Sequence, residues 1–159
     1  MINIKIICVG ALKEKAYKEL QDEFAKRLSK YCKLEIIELK DEKLPNISNE
    51  SNNNIVKLKE GQAILSKLPK NSFNFILDER GTEYTSVELA EKLQKITNTN
   101  STITFVIGGS LGLSDEVKKE ASELISFSKL TFPHQMIRVF LLEQIFRVFK
   151  IQNGETYHH

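Results

Sequence analysis

The chain has 159 residues, 41% hydrophobic and 28% charged, which fits one globular domain over residues 1–159 and leaves no room for a second core. With 23 Lys+Arg against 21 Asp+Glu the net charge is +2, which excludes a generally basic nucleic-acid coat and an acidic solvating tail. The basic excess falls wholly in residues 127–159, where Lys129, Arg138, Arg147 and Lys150 face only Glu143 and Glu155, and all three histidines (His134, His158, His159) lie there too.

Ile2 to Val9 is rich in β-branched residues and ends at Gly10, the pattern of a strand. Tyr17, Leu20, Phe24 and Leu28 then recur at three- and four-residue intervals with Lys and Glu opposite, which predicts an amphipathic helix. Leu34 to Leu39 is the second predicted strand. Lys40 to Asn54, with five asparagines, two serines and Pro45, is predicted as a long mobile surface loop. A second helix is predicted over Val56–Leu68, closed by Pro69, and a third strand over Phe73–Leu77, running into the polar turn Asp78-Glu79-Arg80-Gly81. Thr85 followed three residues later by Glu88 is a capping-box pattern, and Leu89, Leu93 and Ile96 supply the apolar stripe of the helix it opens. Ile103–Ile107 is a continuous apolar strand, the kind covered on both faces in a parallel sheet. Ser114, Asp115 and Glu116 start a short helix, and Leu124–Ser128 gives a fifth strand. Alternating strands and helices predict an α/β fold, a mostly parallel sheet with helices on both faces, whose ligands sit beyond the carboxyl ends of the strands.

The last predicted helix is apolar on nearly all sides, through Met136, Ile137, Val139, Phe140, Leu141, Leu142, Ile145, Phe146, Val148 and Phe149. Such a helix must be covered nearly all round, and the sequence reading assigns one side to a second copy of the chain, hence a homodimer through the C-terminal helix; a helix threaded through a monomer core is the alternative. Arg138, Glu143, Arg147 and Lys150 interrupt the stretch too often for a membrane span. The N-terminus has neither a charged leader region nor a cleavage pattern, so a soluble, cytoplasmic protein is expected. Cys8 and Cys32 stand 24 positions apart with no second pair, which predicts buried thiols and no metal site.

Three segments hold groups suited to chemistry. Ile107-Gly108-Gly109-Ser110-Leu111-Gly112-Leu113 joins a strand to a helix, where backbone can approach a ligand closely, although a tight turn alone also explains its glycines. It matches neither the dinucleotide fingerprint nor a P-loop. Ser126 to Arg138 places hydroxyls, a lysine and two phenylalanines before Pro133, which suits a helix start, and His134, whose charged form a helix N-terminus disfavours. Such a neutral histidine can accept a proton, or merely pack. The ending Gly154-Glu155-Thr156-Tyr157-His158-His159 reads in isolation as a frayed end. Asp78, Glu79 and Arg80 stand where α/β site residues often project, and a solvated turn explains them nearly as well.

Taken together, Val9-Gly10-x-Leu12-Lys13-Glu14-Lys15, Phe105 to Leu113, Ile125 to His134, Arg138, Glu143-Gln144 and Gly154-Glu155-x-Tyr157-His158 resemble the ribosomal RNA large subunit methyltransferase H family, the smallest branch of the SPOUT superfamily. The resemblance spans essentially the whole chain. It implies a C-terminal trefoil knot within about residues 73–155, an exception to the general absence of knots. It also implies a homodimer that transfers a methyl group from S-adenosylmethionine to N3 of a pseudouridine in the intersubunit stem-loop (helix 69) of 23S rRNA. The mild net charge, which alone would bind RNA weakly, points to the assembled ribosome rather than free RNA as what presents the target. The family's cofactor-binding positions fall on Leu77, Gly108, Phe127, Ser128, Lys129, Leu130, Thr131 and Phe132. His134, Arg138, Tyr157 and His158 are the catalytic candidates, with Arg138 or Arg147 of a partner subunit on the RNA backbone. His159 departs from the family's usual Lys or Arg and supplies less charge for a phosphate. A SPOUT enzyme acting on transfer RNA, an inert ribosome-binding protein and a small nucleotide-binding protein are the competing readings.

Overall fold

The computed structural model describes all 159 residues. The elements follow in the order β1 (Ile2–Val9), α1 (Lys15–Leu28), β2 (Cys32–Leu39), α2 (Glu50–Lys67), β3 (Phe73–Glu83), α3 (Ser86–Thr97), β4 (Thr102–Ile107), α4 (Asp115–Lys119), β5 (Glu123–Ser126) and α5 (His134–Gln152). The five strands form one sheet in the order β2-β1-β4-β3-β5, every neighbouring pair parallel.

The strands alternate between two apolar layers because successive side chains leave a strand on opposite faces. Ile4, Ile6 and Cys8 of β1, Phe75 of β3 and Phe105 of β4 point into the larger core, against α1, α3 and α5. Ile7 and Val9, Ile76 and Val106 point the other way, against Ile64 of α2 and Val117 of α4. Both faces are thus covered, as the apolar runs of β1 and β4 require. The cysteines are free and buried, and burial pushes their thiols up to about 11 for Cys8 and about 12 for Cys32. No helix is long and apolar enough to cross a membrane.

Several boundaries differ from the sequence reading. The Asn-rich stretch is loop only to residue 49: the Asn49 side chain accepts the Asn52 N–H at 2.8 Å and caps α2, so Glu50–Asn54 is helix. Asparagine is a strong N-cap residue, and that role outweighs its loop bias. The turn at Asp78–Gly81 is an irregularity inside β3: Leu77 pairs with Ile125, the chain bulges out, and Thr82 pairs with Ile125 again. Leu20 is exposed rather than on the buried stripe of α1. Pro133 is the N-cap of α5, one position before the first helical turn.

The covering of α5 also differs. Its apolar circumference is met within the chain, by the sheet below and by α1 and α3 on its flanks; Phe146 packs on Phe24, and Phe149 stacks on Tyr31 at 5.6 Å. The threaded alternative therefore describes most of this helix. Phe140 alone among its large apolar residues remains well exposed, at 41%.

Candidate active site

The carboxyl ends of β3, β4 and β5 open into a cleft facing the N-terminus of α5. Three irregular stretches wall it: Leu77–Glu79 at the bulge of β3, Ile107–Leu113 after β4, and Ile125–Phe132 after β5; His134 and Ile137 of α5 close one side. The glycine turn after β4 is tight by construction. Gly112 sits at φ +83, and its N–H donates to the Gly109 carbonyl at 3.1 Å. A Cβ on Gly108 would stand 2.8 Å from Leu113 Cγ, and one on Gly109 would stand 3.0 Å from a Glu60 carboxylate oxygen, so neither position accepts a side chain without movement.

The connection after β5 is shaped by its hydroxyls. Ser126 Oγ donates to the Ser128 carbonyl at 2.9 Å, and Ser128 Oγ accepts the Leu130 N–H at 2.9 Å. None of the N–H groups from Ser128 to Phe132 donates to a backbone carbonyl. Apolar walls with unpaired main-chain groups among them suit a flat, polar-edged ligand. Of the eight cofactor-binding positions expected from the sequence, Leu77, Gly108, Phe127, Ser128, Leu130, Thr131 and Phe132 line the cleft; Lys129 is exposed and does not. Asp78 also lines it. Burial works to raise its carboxyl, but Lys118 Nζ at 2.8 Å and the Arg80 N–H at 2.8 Å prevail and hold it below the ordinary value.

Two residues that the sequence did not single out build these walls from behind. Gly81 lies flat on β5, where a Cβ would stand 2.6 Å from backbone atoms of Leu124 and Ile125. Glu60 of α2, only 5% exposed, accepts the Glu42 N–H at 3.3 Å and backs Gly109. Burial pushes its carboxyl up, with Asp41 and Glu42 adding to the rise against the hydrogen bond from the Glu42 backbone. No local pattern announces either contact, since both depend on pairing between distant elements.

The four catalytic candidates separate. His134 is in the cleft, half-buried, and burial together with the Arg138 charge holds its imidazole below the ordinary value, with Asp41 opposing. Arg138, one turn further on, is 1% exposed and bound to Glu38 and the Gly10 carbonyl. This corrects the expectation that Arg138 reaches an RNA backbone, because a guanidinium committed to internal partners presents no charge to a phosphate. Tyr157 and His158 stand apart from the cleft of their own chain. The Tyr157 hydroxyl donates to Glu143 at 3.1 Å, its ring packs edge-on to Phe146, and Arg147 lies over it at 4.7 Å and 3.2 Å from His158 Nδ1. The terminal residues are thus docked on α5 rather than frayed. Burial and the Glu143 carboxylate push the Tyr157 phenol up.

A second hollow lies behind the Phe127–Phe132 wall, between Tyr84–Ser86 and the Phe140–Gln144 turn of α5. No group of three or more His, Cys, Asp or Glu side chains is placed to hold a metal ion.

The family model described as predicted SPOUT methyltransferase matches residues 2–158. Among similar proteins, the ribosomal RNA large subunit methyltransferase H of Clostridium botulinum (strain Kyoto / Type A2) is 53% identical over 158 residues, 99% of this chain and 99% of its own length. The ribosomal RNA large subunit methyltransferase H 1 of Clostridium perfringens (strain SM101 / Type A) is 52% identical over the same span and coverage. With its parallel sheet, its cleft at the strand ends and this end-to-end similarity, the chain belongs to the ribosomal RNA large subunit methyltransferase H family of SPOUT methyltransferases.

Proposed function

We propose that this protein is a cytoplasmic enzyme that uses S-adenosylmethionine to methylate N3 of a pseudouridine in the intersubunit stem-loop (helix 69) of 23S rRNA, on assembled ribosomes. The observation that carries the reading is the meeting of Gly108, the Phe127–Phe132 connection and His134 in one cleft. The residues present fit the cofactor: Leu77, Phe127 and Ile137 offer apolar walls, and within 128–132 no N–H donates to a backbone carbonyl, only the Leu130 N–H being taken up, by the Ser128 hydroxyl.

When bound, the cofactor supplies a methyl group on a sulfonium, which leaves as the sulfur becomes a neutral thioether. The chain's part is to orient the nucleobase and to take a proton. A pseudouridine imide carries its N3 proton at neutral pH, so that proton must leave as the N–C bond forms. His134, its imidazole held below the ordinary value at the edge of the cleft, serves as the acceptor; Asp78, in the same cleft, is already paired with Lys118. Lys129 extends outward from the connection and is assigned no contact with the cofactor.

The same reading makes the active unit a dimer. Tyr157 and His158 do not line their own cleft, so they serve the cleft of a partner subunit, with Arg147, paired with Glu143 but unlike Arg138 still partly exposed, beside them toward the RNA backbone. Exposed Phe140 on α5 supports that contact surface. A knot within about residues 73–155, in the single domain of 1–159, is supported by membership of the SPOUT family.

Mass mapping of the stem-loop after incubating ribosomes with the protein and labelled S-adenosylmethionine tests the proposal. A single added methyl at the pseudouridine is expected. Equal methylation of protein-free rRNA would remove the ribosome from the proposal, and a methyl on transfer RNA alone would overturn the substrate. Absence of cofactor binding by calorimetry would leave only an inert binder.

A further inference from the structure

Arg138 heads the fully buried side chains of the protein by size. A guanidinium so far from water needs a counter-charge and partners for its N–H groups. The counter-charge and partners for its two terminal nitrogens come from the ends of the first two strands, while Nε is buried without one. Nη1 donates to Glu38 Oε2 at 2.5 Å, Nη2 donates to the Gly10 carbonyl at 2.7 Å, and Gln21 Oε1 of α1 lies 3.4 Å from Nη1.

Gly10 is held on its other side as well. It sits at φ +90, a backbone region that favours glycine, and its N–H donates to the Leu39 carbonyl at 2.7 Å. A Cβ there would stand 3.4 Å from His134 Nε2, so the backbone knuckle that Arg138 grips is also the surface on which the imidazole rests. Next to it, the Lys13 N–H donates to Gln135 Oε1 at 2.8 Å.

We propose that Glu38 is a positioning residue for methyl transfer: with Arg138 and the Gly10 carbonyl it forms a latch that fixes the first turn of α5, and with it His134, against the ends of β1 and β2. The proposal rests on the role given to His134 above. Glu38 does not line the cleft and its side chain is 41% exposed, so it acts through Arg138. The charged groups around the imidazole are Arg138 from its own helix, Lys13 from the connection after β1 and Asp41 from that after β2, with Asp78 and Glu79 across the cleft.

The full-length protein and its variants Glu38→Gln and Arg138→Lys would be compared by NMR titration of the His134 ring, turnover on ribosomes and calorimetry with S-adenosylmethionine. Glu38→Gln leaves the Arg138 charge uncompensated, so the His134 midpoint moves to lower pH. Turnover falls about ten- to a hundredfold, the scale of a small misplacement of a reacting group, while cofactor affinity stays within about twofold. Arg138→Lys keeps the charge and loses the two-pronged grip, so turnover falls with a smaller change of midpoint. An unchanged midpoint together with unchanged turnover in both variants would overturn the latch, as would a loss of cofactor affinity equal to the loss of turnover. Should Glu38→Gln fail to fold, Glu38→Asp is expected to give an intermediate midpoint and turnover, and wild-type values in it would overturn the proposal. If the wild-type protein leaves ribosomes unmethylated, the functional reading fails, while the midpoint shift still reports on the latch.

Discussion

His134 acquires its character from three neighbourhoods at once: the helix end it occupies, the knuckle at Gly10 and the buried Arg138. Its lowered value means that the folded protein takes up this proton at lower pH than the unfolded chain. Stability is therefore lost as pH falls through the ordinary histidine value toward the lower folded one, whereas activity that needs the neutral ring is lost only as pH falls through that lower folded value. His134→Ala is expected to lower turnover about 10²–10⁴-fold with cofactor affinity retained, measured by single-turnover methylation and calorimetry. Glu60 has the opposite sign. Its raised carboxyl means that the unfolded chain releases the proton first, so stability falls as pH rises from the ordinary carboxylate value through the folded one. Glu60→Gln removes that cost, and thermal unfolding should show a larger gain in Tm at pH 7 than at pH 4. Greater stabilisation at pH 4 would contradict the assignment.

Among the elements, the glycine turn after β4 and the bulge of β3 decide whether a cleft exists. Gly108→Leu must displace Leu113, and its cofactor affinity should fall before its stability does, as calorimetry beside thermal unfolding would show. Gly81→Ala presses on the backbone of β5 and should cost roughly 1–3 kcal/mol, the scale of an overpacked core; a fully stable variant would mean that β3 and β5 slide easily. The capping box at Thr85 and Glu88, the apolar run of β4 and the Ser114 cap were all legible from the chain, because each is written in a few adjacent residues. The helical start at Asn49, the second pairing of β3 with β5 and the fit of Glu60 under Gly109 were not. The first sets one cap against a loop-like composition. The other two depend on which segment arrives opposite, and no local period encodes that.

At the scale of the molecule, the parallel sheet and its two covered faces follow from apolar runs in β1 and β4 that no solvated face tolerates. The covering of α5 was read less well, since its near-uniform apolarity is satisfied by α1 and α3 of the same chain, and periodicity cannot say whose helices those are. The dimer now rests on a smaller surface around Phe140, beside Phe132 at 5.6 Å, and on the docking of Tyr157 and His158 away from their own cleft. Sedimentation should show a dimer at micromolar concentration, and Phe140→Asp should shift it toward monomer and lower turnover without unfolding the chain. A monomeric wild type that methylates ribosomes would end the two-subunit view.

The packing of Phe24 against Phe146 joins the first helix to the last across more than a hundred residues of sequence. Synthesis proceeds from the N-terminus, so α1 emerges long before the surface that shields it has been made. A nascent chain ending before His134 carries a complete set of strands with one core layer still open to water, in a state prone to aggregation. Closing of this layer must therefore wait until α5 has been made, and because the closing contacts are so distant in sequence, folding should be slow for a protein of this size.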